Sequence, residues 1–349
     1  MPLVPNLLER TIFLTLNQGP APLLDMFGAI GFRVAVAGIR LGVFEALDGS
    51  SCTRQELAKK LGTDPEGTRL LIEALAALGY VAKQGEIYSN TPMTRKWLVN
   101  SSETNFAPFL LYWETLLTEF MPNLEESIRT GKTPRNLYQW IENQPETSAY
   151  FQQAMSTMAR FGGDEIINPL KLPEGPTRLL DVGGGHAMFS IAMCQKHPQL
   201  SATVLDSHEA LESARANVKA INMSSRIMLQ EGDFLKADYS TGYDMAFVFN
   251  IVHGLTPELN KALLGKIAAA LKPSGQVVIL EQLSGNVPSR FGKAVTRLLG
   301  LSYFHLIDGK TYSFEDVSGW LQATGFGNPR KRGLLKAPGN YVVTGDKLG

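Results

Sequence analysis

Five side chains in the second half of the 349-residue chain stand where an apolar run stops: Asp181, Asp206, Asp233, His253 and Glu281. The runs are Leu179–Val182, Thr203–Asp206, Ile227–Glu231, Met245–Asn250 and Val277–Glu281, separated by helical patterns. Strand alternating with helix over 172–349 predicts a parallel sheet covered by helices on both faces. Ligands of such sheets lie beyond the carboxyl ends of the strands, so the five groups are expected along one edge. An imidazole placed there can do acid–base work. A phenol, titrating near ~10, is a poor nucleophile while neutral, and an imidazole near ~6.5 can take its proton within hydrogen-bond reach. His253 follows the fourth strand, just before a helix opened by Thr256-Pro257-Glu258.

The stretch Leu179-Leu180-Asp181-Val182-Gly183-Gly184-Gly185-His186 reads as a strand entering a glycine-rich turn, with a helix from Phe189 to Lys196. Glycines let the backbone turn tightly and approach a ligand with no Cβ between. The helix behind them offers unpaired N–H groups. A dinucleotide site wants a third glycine in G-x-G-x-x-G, and Met188 stands in that place. Asp181 at the strand end instead fits a ligand carrying an ammonium group, S-adenosylmethionine. Asp206 is then placed to accept hydrogen bonds from ribose hydroxyls, and Gly232-Asp233-Phe234 ends the third strand.

Together Asp181–Gly185, Asp206 and Asp233 resemble a class I S-adenosylmethionine-dependent methyltransferase. From about residue 20 to about 345 the chain resembles the plant-type small-molecule O-methyltransferases and their bacterial relatives. The resemblance implies an α/β, Rossmann-like methyltransferase domain behind an N-terminal helical, winged-helix dimerisation domain. It implies cofactor contacts at Asp181, Gly183, Gly185, Asp206, Asp233, Phe234 and Asn250, with S-adenosylhomocysteine as product. Asn250-Ile251-Val252-His253 matches the family's N-x-x-H, whose histidine is the general base. Glu281 matches the acid that orients it, holding the imidazole's tautomer and favouring its charged form. The acceptor pocket is expected at Trp113, Phe151, Met155, Met158, Tyr303 and His305. Phe151, Met155 and Met158 lie on one helix face, a stripe that could equally be core. There are three departures from the family pattern: Gly254 and Leu255 replace aspartate and tryptophan after the histidine, Thr311 replaces a flanking acid, and Ala187 replaces the last loop glycine. The first two thin the polar shell around the base and leave N- or C-methylation, or a reaction other than methyl transfer, open. The third is mild if Ala187 takes ordinary helical angles.

Composition sets the outer bounds. Apolar residues make up 44% and charged residues 19%, with 33 basic against 33 acidic side chains, so no polyanionic partner is implied. Cys52 and Cys194 offer neither metal spacing nor a disulfide framework, which points to free thiols in a reducing cytoplasm. No metal-ligating cluster is apparent. No apolar run is expected to span a membrane and no secretory signal is apparent. The expected divisions are a dimerisation domain over 1–100, a helical segment over 101–170 that contributes to the acceptor pocket, and a catalytic domain over 171–349.

Residues 1–20 are apolar enough to cap the first domain's core or to lie across a second subunit. Residues 26–100 show helices, two of them opened by Thr53-Arg54-Gln55-Glu56 and Asp64-Pro65-Glu66, then a hairpin over Tyr80–Lys83 and Glu86–Ser89. This winged-helix pattern raises a competing reading, a DNA-binding regulator. Residues 1–100 carry ten Lys/Arg against nine Asp/Glu, too few to build a basic face. A homodimer is expected, without nucleic acid or membrane as partner.

Overall fold

The computed structural model describes residues 5–285, 287 and 289–349. They fall into two compact units, Met1–Leu117 and Thr118–Gly349. The segment 101–170 is divided between these units.

In the first unit, three short strands, β1 (Ser51–Thr53), β2 (Val81–Gln84) and β3 (Ile87–Asn90), form an antiparallel sheet in the order β1-β3-β2. The hairpin sits one residue later than its sequence pattern suggested. The helix Arg54–Leu61 starts on the expected capping box, Thr53 accepting from the Glu56 backbone and Glu56 from that of Thr53. Asp64 caps the helix Pro65–Ala77 by accepting the Gly67 N–H at 2.7 Å. The first long helix is Pro22–Arg40. It stops at Leu41, and Gly42 (φ +74°) turns the chain before the short helix Val43–Ala46.

Two features of this unit correct the sequence reading. No residue of Leu7–Thr15 is buried, so the apolar opening segment does not cap its own domain's core. Pro22–Arg40 is long and apolar enough, by length and composition, to cross a membrane, with a mean hydropathy of 1.5. Its exposed Leu23, Met26, Phe27 and Ile30 form one stripe at helical spacing.

The second unit is built on one large sheet. Its strands are β4 (Thr177–Val182), β5 (Leu200–Asp206), β6 (Ile227–Glu231), β7 (Tyr243–Phe249), β8 (Leu271–Ser284), the two-residue β9 (Tyr312–Ser313), β10 (Phe326–Gly333) and β11 (Asn340–Lys347). The order β6-β5-β4-β7-β8-β11-β10 is parallel through β8, and β11 and β10 close it antiparallel. From β4 the chain adds β5 and β6 on one side and then β7 and β8 on the other, and this switch opens a crevice at the carboxyl ends of β4 and β7. Buried Val, Ile, Leu and Phe from alternating positions form one core on each face of the sheet. Every strand expected over 172–281 is present, each longer than or equal to its apolar signal.

Candidate active site

At the cofactor end of the crevice the backbone provides most of the surface. Gly183 (φ +68°) and Gly185 (φ +41°) hold left-handed angles after β4. A Cβ on Gly183 would overlap the Ile251 side chain, and one on Gly184 would meet the Asp181 carboxyl at 2.6 Å and Val204 at 2.7 Å. The loop can therefore lie this close to Ile251, Asp181 and Val204 only because these residues are glycines. Ala187 is also left-handed (φ +59°, ψ 10°). This corrects the expectation of ordinary helical angles: an alanine here carries the strain that a glycine would avoid.

The three acids at strand ends have different surroundings. Asp206 accepts the Gly185 N–H on Oδ2 and the Ser207 N–H on Oδ1, both at 2.8 Å, which fixes its plane beside the loop. Burial raises its pKa, opposed by those two hydrogen bonds. Each oxygen keeps a lone pair for a ligand hydroxyl. Asp181 is turned beneath the loop, 2% exposed, and accepts from Ser190 Oγ at 2.6 Å. Burial pushes its carboxyl up to about 7, against the Ser190 bond and with help from the Asp206 charge. Its observed contact supports the loop from below. Asp233 closes its own turn, accepting the Leu235 N–H at 2.9 Å and pairing with Lys236 at 3.1 Å. The turn that carries Phe234 is tied down by Lys266, whose Nζ donates to the carbonyls of Phe234, Leu235 and Ala237.

His186, within the loop, is held neutral at pH 7. Burial first and the Arg160 charge second lower its pKa to about 4. Its Nδ1 accepts the Met188 N–H at 3.1 Å, leaving the proton on Nε2. Left-handed Asn250 (φ +57°), a residue that tolerates this conformation, turns the chain from β7 toward His253. This cradle, with an acid positioned for hydroxyls beside it, fits S-adenosylmethionine.

Past β7, His253 lies in the short helical turn Val252–Gly254 and Glu281 lies in β8. Both are buried, at 5% and 0% exposure. His253 Nδ1 sits 2.9 and 3.0 Å from the two Glu281 oxygens. Glu281 also accepts the His253 backbone N–H at 3.1 Å and the Gln282 N–H at 2.9 Å. An ionised carboxylate only accepts, so the neutral imidazole carries its proton on Nδ1 and presents Nε2 as the acceptor. No protein partner for Nε2 is found among the described residues. The ring of Tyr303 lies flat against the imidazole, with centroids 4.0 Å apart and planes 8° from parallel.

His305, two residues on, is a correction. It is 1% exposed, and both ring nitrogens are engaged: Nε2 faces the Phe120 carbonyl at 2.9 Å and Nδ1 faces Ser127 Oγ at 2.7 Å. A carbonyl accepts, so Nε2 carries the proton and Ser127 donates to Nδ1. This histidine fastens the helix Arg290–Ile307 to Leu124–Thr130 and has no nitrogen left for an acceptor molecule.

The stripe on the helix Pro145–Ile167 is not core. The buried face is lined by Thr147, Ala154, Ser156, Thr157 and Ala159, whereas Phe151 and Met155 are half-buried and Met158 is 38% exposed. Trp113 belongs to the first unit, where its ring meets those of Phe109 and Tyr112 edge-on. Tyr138 was not singled out from sequence, because a lone tyrosine in a short helix carries no spacing signal. The residue is about half exposed. Burial first, then the charges of Glu281 and Asp206, push its hydroxyl up to about 12.

Comparison with known proteins decides the family. The model of the O-methyltransferase domain matches residues 117–327, and that of the O-methyltransferase dimerisation domain matches residues 26–100. The chain belongs to the O-methyltransferase family. It is an S-adenosylmethionine-dependent methyltransferase. It is 26% identical over 322 residues to a 3-hydroxy-5-methyl-1-naphthoate 3-O-methyltransferase of Streptomyces sahachiroi, covering 90% of this chain and 91% of that one. It is also 26% identical over 341 residues to an L-tyrosine C(3)-methyltransferase of Streptomyces lavendulae, covering 92% of each. Its fold is similar to that of human N-acetylserotonin methyltransferase in complex with S-adenosylmethionine, with a TM-score of 0.82, 21% identity, and coverage of 95% of this chain and 99% of that one.

Proposed function

We propose that this methyltransferase transfers its methyl group to a hydroxyl of a small aromatic or polyketide-like natural product, with His253 as general base. The observation that carries this reading is the buried His253–Glu281 pair. Its one uncommitted ring nitrogen is an acceptor, at the carboxyl end of the strand beside the glycine cradle. Bound S-adenosylmethionine supplies an activated methyl on a sulfonium. The protein's part is to align the acceptor and remove its proton. As Nε2 takes that proton the imidazole becomes cationic, and Glu281, already hydrogen-bonded to Nδ1, stabilises it. Asp206 and the Gly183–Gly185 turn hold the cofactor, with Phe234, Asp233 and Asn250 at the same strand ends. Phe151, Met155 and Met158 are the candidates for the acceptor wall within the second unit.

A carbon acceptor is the second reading, favoured by the tyrosine C(3)-methyltransferase relative and by the polar groups lost at Gly254 and Thr311. Turnover of hydroxynaphthoates and phenols with methyl-13C-labelled S-adenosylmethionine separates the two. A methoxy carbon signal in the product supports O-transfer, and a ring-methyl signal overturns it.

The chain acts as a homodimer in this reading. The dimerisation match and the apolar stripe Leu23, Met26, Phe27 and Ile30, together with exposed Leu7, Leu8, Leu14 and Leu16, support a second copy as their partner. DNA is disfavoured: the one arginine of Pro65–Ala77, Arg69, is paired with Glu66 and Glu73 of its own helix. Free, buried Cys52 and Cys194 support a reducing, cytoplasmic setting. A monomer mass by light scattering at micromolar concentration would contradict the dimer.

A further inference from the structure

We infer that Tyr303 is a positioning residue for the His253 imidazole, an inference that rests on His253 being the base. Glu281 grips the ring only at its Nδ1 edge. A ring held at one edge still tilts about its Cβ–Cγ bond, and a tilt moves Nε2 relative to the acceptor oxygen. A second planar group against the imidazole face blocks that tilt. Tyr303 supplies it, parallel within 8° at 4.0 Å, which is contact distance for stacked rings. Once proton transfer makes the imidazole cationic, the same aromatic face attracts it.

The turn that carries Tyr303 is also attached to the base through its backbone. The Tyr303 carbonyl ends the helix Arg290–Ile307 by accepting the N–H groups of Asp308 and Gly309. Lys310 then donates its N–H to the His253 carbonyl at 2.8 Å. A Cβ on Gly309 would overlap that same carbonyl oxygen, so the approach requires glycine there. Side chain and backbone of one turn, fifty residues away in sequence, thus clamp His253 on its face and at its carbonyl. Where this chain has Gly254, Leu255 and Thr311, no carboxylate or large aromatic side chain is available for that task.

The decisive measurement reads the ring directly, without an acceptor. In 15N-labelled protein, the His253 Nδ1–H resonance is identified by its loss in His253→Ala. It is expected to be sharp in the wild type and in Tyr303→Phe, which keeps the ring, and to broaden or vanish in Tyr303→Leu and Gly309→Ala. Affinity for S-adenosylmethionine, unchanged within about threefold, checks that the variants are folded. With a hydroxynaphthoate or phenol that the wild type methylates, Tyr303→Leu is expected to lose roughly 10–100-fold in kcat, the scale of a misplaced catalytic group, and Tyr303→Phe to restore it. An unaltered resonance in Tyr303→Leu overturns the inference. So does a Tyr303→Phe variant as impaired as Tyr303→Leu, because the hydroxyl and not the stack would then matter. If His253→Ala keeps full activity while the resonance still depends on Tyr303, the base has been misassigned and the positioning contact stands.

Discussion

The two ends of the crevice are built differently. The cofactor end, between β4 and β5, is made of backbone and of acids engaged mostly within ten residues: Asp206 by Ser207 and also by Gly185, 21 residues earlier, Asp181 by Ser190, and Asp233 by Leu235. The imidazole end, past β7 and β8, is made of side chains brought together over distance: His253 with Glu281, 28 residues on, and with Tyr303 beyond it. A ligand common to a large family needs a cradle, which a few glycines and one acid provide. Proton transfer needs a nitrogen left open on a ring that a partner holds in place, and here that partner arrives on another strand through long-range packing.

The largest effect that tests this contrast is at the base. His253→Ala should lower kcat about 10²–10⁴-fold with cofactor affinity nearly intact. A loss below about tenfold at pH 7 would sink the general-base role. The corresponding change at the cofactor end, Asp206→Ala, should weaken S-adenosylmethionine binding by about 1.5–3 kcal/mol, the range for hydrogen bonds to charged groups. Calorimetry showing unchanged affinity would mean the cradle has been misread.

His305 sharpens the contrast within the imidazole end. His305→Ala should leave kcat near the wild-type value but cost about 1–3 kcal/mol for each buried partner left unsatisfied, Ser127 and the Phe120 carbonyl. Denaturant unfolding reads the stability loss. A fall in kcat comparable to that of His253→Ala would restore His305 to the chemistry.

Asp181 separates support from ligand contact by its pH dependence. Its folded pKa, about 7, lies above the unfolded value of about 4, so the folded state binds the proton more tightly. The stability this contributes is fully present below about pH 4 and is lost as pH rises toward 7. Thermal unfolding of the ligand-free protein should show that decline over pH 4–7, and Asp181→Asn should remove it. Wild type and variant with parallel profiles would contradict the buried placement.

The smallest effect concerns Ala187. Ala214, equally buried but within the helix His208–Ala220, is the control. Both alanine-to-glycine changes lose a buried methyl, but only Ala187→Gly relieves a left-handed angle. It should therefore be less destabilising than Ala214→Gly by about 1–2 kcal/mol. Equal losses in thermal unfolding would show that the loop is unstrained.

What the sequence determined by itself is local. Continuous apolar runs specify the strands, Thr53, Asp64 and Thr256 specify helix starts through bonds spanning three residues, and three consecutive glycines specify a cradle. Each of these follows from neighbours within one turn of chain. Tertiary structure decided the rest. Ala187 takes a glycine's angles because the turn between β4 and its helix requires them. Asp181 points below the loop because Ser190 waits there on the helix. The stripe Phe151, Met155 and Met158 is only half-buried or exposed, a matter of which elements pack against the helix and not of its spacing. Above all, His253 and His305 look alike in sequence, yet one keeps an open nitrogen and the other does not. The partners that close His305, Ser127 and Phe120, lie 178 and 185 residues away, so no local pattern could reveal that its hydrogen-bonding capacity is already filled.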